Sequence, residues 1–71
     1  MGKDHKKITV HLTQRRKDAG ITQANLAKAV QVSRKSINAI ENGIYVPSTV
    51  LALKIAKTLK CKVEDLFILP K

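Results

Sequence analysis

Seventy-one residues confine the chain to one domain, because a chain this short buries only about 60% of the surface its unfolded form exposes and has little core to spare for a catalytic cleft. Aromatic residues are 3% of the total and Trp is missing, so the interior must be built from Leu, Ile, Val and Ala, a mixture that suits packed helices better than a β-sandwich. Fourteen Lys and Arg against five Asp and Glu give a formal net charge of +9, a field that draws in polyanions: nucleic acid first, an anionic membrane second.

The apolar runs are far shorter than the roughly 20 residues that span a bilayer, and the opening MGKDHKK has no apolar stretch of the signal-peptide kind, so the sequence reads as a soluble cytoplasmic protein. Cys61 is the only cysteine, which rules out an internal disulfide or a zinc cluster and makes it a small core residue beside Leu59, Val63 and Leu66. His5 and His11 are too few for a metal site.

In chain order, residues 1–7 form a flexible basic arm and residues 8–69 a single domain with no internal boundary. The spacing of Ile8, Leu12 and Arg16 predicts a helix from about Thr9 to Ala19, with an arginine on its inner stripe and Gly20 ending it in a left-handed turn. Thr22 caps a second helix whose inner face is Leu26, Ala27 and Val30. After a break at Gln31 and Val32, Ser33 caps a third helix that turns Ile37, Ile40 and Glu41 inward and Arg34, Lys35, Asn38 and Asn42 outward, until Gly43 stops it. Ile44 to Pro47 is a loop. Ser48 then caps a fourth helix lasting to about Leu59, with Leu51, Ile55 and Leu59 in a stripe beside Ala52 and Ala56. A short fifth helix, about Val63 to Phe67, precedes an apolar Ile68-Leu69-Pro70. The expected fold is all-α: five helices joined by short connections.

Within residues 22–43 two short helices meet at a tight turn, with small Ala27 at their crossing and Val32, Ile37 and Ile40 locking one onto the other. Through TQANLAKAVQVSRKSINAIENGIYVPS followed by LALKIAKTL, the chain resembles the Cro/cI-type, lambda-repressor-like family of helix-turn-helix regulators, over roughly residues 8 to 67. The ordered set from Arg16 and Gln23 through Ser33, Glu41 and Gly43 to Pro47 and Ser48 makes that resemblance specific.

What the resemblance implies is a sequence-specific reader of double-stranded DNA, with the third helix, about 33–42, in the major groove. Ser33, Arg34, Lys35 and Asn38 match the positions that touch base edges and the flanking backbone. Arg34 has the donors for guanine O6 and N7, Asn38 the pair of groups for adenine, and Ala39 a methyl for thymine. Thr22 and Gln23 match a phosphate grip made by a side chain and helix amides, where free N–H groups and a partial positive charge favour anions. Asn42 and the loop with Tyr45 match a second phosphate clamp, the Tyr45 ring packing on the core being the other reading. Arg15 and Lys17, with Lys3, Lys6 and Lys7, would add phosphate contacts, whereas Lys54, Lys57 and Lys60 form a solvated face. Arg16 and Glu41 match an internal ion pair between the first and third helices. Three residues depart from the family pattern: Gln31 and Lys60 stand where Gly is usual, and Lys62 where Ser or Thr caps a helix.

A homodimer would set two reading helices about 34 Å apart on a roughly palindromic operator. Phe67, Ile68 and Leu69 are its expected interface, unless that tail folds back on its own core. No Ser, His and Asp set, Gly-rich phosphate loop or carboxylate pair argues for catalysis, and nothing calls for a cofactor, a metal or a small-molecule ligand. The alternative function is an antitoxin-type module binding a protein as well as DNA, against which stands the lack of a long wrapping tail; RNA or nonspecific binding is disfavoured by the scarcity of aromatic stacking platforms.

Overall fold

The structure is a computed structural model and describes residues 8–70. Five helices, α1 (Leu12–Asp18), α2 (Gln23–Val30), α3 (Arg34–Glu41), α4 (Thr49–Thr58) and α5 (Val63–Leu66), are flanked by two short strands, β1 (Thr9–Val10) and β2 (Phe67–Ile68). The basic arm assigned to residues 1–7, with Lys3, His5, Lys6 and Lys7, lies outside the described residues.

Leu12, Leu26, Ile37, Ile40, Ile55 and Leu66 are fully buried, one or two from each helix, with Val30, Ala27 and Ala56 filling the gaps between them. All but Leu66 are inner-stripe positions read from the periodicity. The largest helix-helix contact is between α2 and α3, where Ala27 is 3% exposed and leaves the backbones free to approach. Ile37 and Ile40 press onto that surface from α3.

The ends of the domain differ from the expected all-helical course. Thr9 and Val10 do not open the first helix; they pair antiparallel with Ile68 and Phe67, and the His11 amide donates to the Leu66 carbonyl at 2.8 Å. Ile8-Thr9-Val10 is a run of three β-branched residues, which crowd a helix and suit an extended strand. The helix therefore begins at Leu12, after an His11 whose side chain makes no cap. The fifth helix likewise stops one residue early, and Phe67 turns into β2 and packs on the core. At its start the Asp65 carboxylate accepts from the Lys62 amide at 3.0 Å, half of a capping box. A lysine side chain has only donors and leaves the other half unmade.

Each of the first four helices ends in the same way. A left-handed residue donates to the carbonyl three residues back, and its successor to the carbonyl five back, at 2.9 to 3.3 Å: Gly20 and Ile21, Gln31 and Val32, Gly43 and Ile44, Lys60 and Cys61. Gly43 takes φ +73° without a Cβ to strain it, whereas Gln31 and Lys60 hold φ of 63° and 57° against the usual steric penalty. Gln31→Gly should therefore stabilise the domain by about 1 kcal/mol, a rise of roughly 4 to 8 °C in Tm. Gly43→Ala should shift it comparably downward although its Cβ meets nothing within 4 Å. Equal melting of all three chains would show that the backbone conformation at these ends carries no cost.

Candidate nucleic-acid interface

The outer face of α3 is built from what its inner face leaves over. With Ile37 and Ile40 fixed in the core, the 3.6-residue period puts Arg34, Lys35, Asn38 and Asn42 in solvent, with Ala39 half-buried at the edge. Ser33 caps the helix by accepting from the Ser36 amide at 3.1 Å, and its hydroxyl lies 3.0 Å from that of Ser36. Thr22 caps α2 by accepting from the Asn25 amide at 3.0 Å, which leaves the Gln23 and Ala24 amides outside the helical ladder. No acidic residue stands in the first turn of α2 or α3, so the partial positive charge of both helix starts is uncompensated. Gln23, Arg34, Lys35 and Asn38 line one open cleft of about 260 Å³ between those two starts.

Behind the cleft lies an ion pair. Arg16 Nε donates to Glu41 Oε2 at 2.6 Å and Nη2 to Oε1 at 3.3 Å, while Nη1 donates to the Ile21 carbonyl at 2.8 Å. The two side chains are 11% and 5% exposed. Burial pushes the Glu41 carboxyl up, but hydrogen bonds from Arg16 and Gln23 together with the Arg16 charge outweigh it, and the group sits below its ordinary value. Gln23 Nε2 donates both to Glu41 Oε1 at 2.9 Å and to Asn38 Oδ1 at 3.2 Å. Both of its hydrogens are thus engaged within the protein. What Gln23 offers a phosphate in this arrangement is its backbone N–H, not its side-chain donors.

The remaining candidates are spread more widely. Asn42 and Tyr45 are exposed, but the amides of residues 42 to 45 already donate, Ile44 and Tyr45 both to the Ala39 carbonyl. Only side chains are left there for a clamp. Lys17 is exposed on α1, whereas Arg15 leans toward α5, 3.8 Å from Asp65. Phe67 packs on the core, while Ile68 and Leu69 are 38% and 80% exposed.

Two features escaped the sequence reading. Val50 and Leu53 are exposed on the outer side of α4, and Val46, Pro47, Leu53, Val63 and Phe67 line an apolar groove of about 420 Å³. The spacing of Val50 and Leu53, three apart and off the inner stripe, was the available signal. The Gln23 bridge had none, because it joins residues 15 and 18 positions apart. Among the described residues no group of three His, Cys, Asp or Glu is placed to hold a metal, and no helix is long and apolar enough to cross a membrane.

A family model described as Helix-turn-helix matches residues 12–66. An uncharacterized HTH-type transcriptional regulator of Methanocaldococcus jannaschii is 56% identical over 48 residues, covering 68% of this chain and 73% of its own. One from Methanothermobacter thermautotrophicus is 46% identical over 59 residues, covering 82% and 86%. Among solved structures, the clp gene regulator ClgR of Corynebacterium glutamicum superimposes with a TM-score of 0.72 at 31% identity, over 76% of this chain and 57% of that one.

The lowered Glu41 value makes the pair sensitive to acid. Below its ordinary 4.5 the unfolded chain takes up a proton that the folded chain still refuses, so the pair's stability is complete above about that pH and is lost as pH falls through the folded value. Glu41→Gln leaves the Arg16 charge buried without a counter-charge and should cost about 3 to 5 kcal/mol near neutrality. It should also flatten the acid limb in urea unfolding measured between about pH 2.5 and 6. An unchanged acid limb would locate the sensitivity elsewhere.

Proposed function

Because the chain belongs to the helix-turn-helix family of DNA-binding transcriptional regulators, a family that regulates rather than catalyses, we propose that it is a sequence-specific repressor that inserts α3 into the major groove. The observation that carries this reading is the convergence of Gln23, Arg34, Lys35 and Asn38 on one open cleft between two helix starts that have no acidic residue in their first turns. Two uncompensated N-termini and two cations bind phosphate. Base discrimination comes from Arg34, which has the donor geometry for guanine, and from Asn38.

Ser33, Lys35 and Ala39 complete the base-facing set. Thr22 with the Gln23 and Ala24 amides holds one phosphate, and the side chains of Asn42 and Tyr45 hold another on the far side of the helix. Arg15 and Lys17 reach the backbone beyond; the Arg15 pair with Asp65 is long and exposed, so it yields readily to a phosphate. Repression needs no more than occupancy of a promoter, which this surface supplies.

A homodimer fits the apolar side of the domain and would read a palindromic operator. Ile68 and Leu69 are exposed and follow Phe67, which lines the apolar groove, so the end of the domain offers apolar surface that a second copy would cover by an isologous two-fold contact.

Selection from random duplexes at stated salt should enrich one motif. Arg34→Ala should then relax preference at one or two base pairs by about 1 to 3 kcal/mol, while Asn42→Ala weakens all sequences alike. Enrichment of nothing would replace the specific reading with nonspecific binding. For the dimer, Leu69→Asp should shift sedimentation from dimer to monomer at micromolar concentration and shorten the protected footprint to a half-site; a wild-type chain that is monomeric both free and on DNA would refute it.

A further inference from the structure

We infer that the ion pair behind the cleft dictates, through Gln23, which end of the Asn38 carboxamide faces the bases, so that Asn38 acts as a donor-first reader of a purine with Gln23 as its positioning residue. The inference rests on the proposed insertion of α3 into the major groove. It follows from hydrogen-bond polarity passed along four side chains. Arg16 is always a cation, and it keeps Glu41 ionised by donating to both carboxylate oxygens. An ionised carboxylate only accepts. The Gln23 group 2.9 Å from Glu41 Oε1 must therefore be its Nε2, and its flipped state, an oxygen against a carboxylate, is excluded. The second hydrogen of the same Nε2 points at Asn38, 3.2 Å away, which must answer with Oδ1. Asn38 Nδ2 is left facing away from α2, on the exposed side of α3.

An unanchored asparagine in a groove has two flip states, one leading with a donor and one with an acceptor, and reads adenine and cytosine with little distinction. Anchoring removes the second state. Nδ2 then donates to the N7 of a purine, and the lone pair of Oδ1 that Gln23 leaves unused accepts from adenine N6. Adenine is the best match and guanine the next, its O6 facing Oδ1 unfavourably. Cytosine, which presents a donor at this edge, is rejected.

Selection is run on the wild-type chain and on Asn38→Ala, Gln23→Met and Asn38→Asp, with melting temperature recorded for each. Asn38→Ala identifies the base pair that Asn38 reads. There the wild type should favour adenine over cytosine about tenfold. Gln23→Met, which keeps the packing volume without the donors, should bring that ratio to about two- to threefold at this one position while the Arg34 position keeps its preference. Asn38→Asp retains an oxygen for Gln23 but leads with an acceptor, and should switch the preferred base to cytosine. Full discrimination in Gln23→Met, or an Asn38→Asp chain that still selects adenine, would overturn the relay. So would an Asn38→Ala chain whose motif is unaltered. In each of those cases an enriched wild-type motif leaves α3 insertion standing, whereas a wild-type chain that enriches nothing removes the reading on which the relay rests.

Discussion

Arg16 and Glu41 form a buried ion pair in a domain where, among the described residues, the other buried side chains are all aliphatic, and the placement of α3 depends on it. Removing two charges from water is costly, and the mutual attraction repays that cost only when geometry and further hydrogen bonds are good. Here the guanidinium makes two bonds to the carboxylate and a third to the Ile21 carbonyl, and the carboxylate takes another from Gln23. These bonds join α1, the α1–α2 turn, the start of α2 and the end of α3. Hydrophobic contacts hold these elements together but tolerate sliding and rotation. Directional bonds between charges do not, and they set the angle at which the outer face of α3 is presented.

The helix ends serve the same purpose more locally. Four helices of seven to ten residues are too short to be stable alone and must each stop where the next packing contact requires. One left-handed residue per end redirects the chain while satisfying the last carbonyls. Gln31 holds that conformation in the turn directly ahead of α3, against a steric penalty that a glycine would avoid. The turn is retained in spite of that penalty because Val32 and Ser33 must arrive in position to pack and to cap.

The domain separates its surfaces by chemistry. Cations and amides gather at the starts of α2 and α3, and exposed apolar side chains gather along the α3–α4 loop, α4 and residues Ile68 and Leu69. A polyanion and an apolar partner can thus be engaged at once, on surfaces with no lining residue in common.

By itself the sequence determined the helices, their caps and their inner stripes, because each of these depends on residues within four positions of one another. Thr22, Ser33 and Ser48 cap by accepting from the amide three residues on, and a cap of that kind is legible without a fold. Arg16 and Glu41 were legible as partners only through resemblance, since nothing local links positions 25 apart. Tertiary structure alone decided the rest. It drew Thr9 and Val10 into a ribbon with Ile68 and Phe67, 57 to 59 residues away, engaged the Gln23 carboxamide that would otherwise be free, and turned Asn38 by its oxygen. Each of these is a hydrogen bond between groups distant in sequence. Such a bond has no periodicity to betray it and exists only once the core has brought its partners within reach.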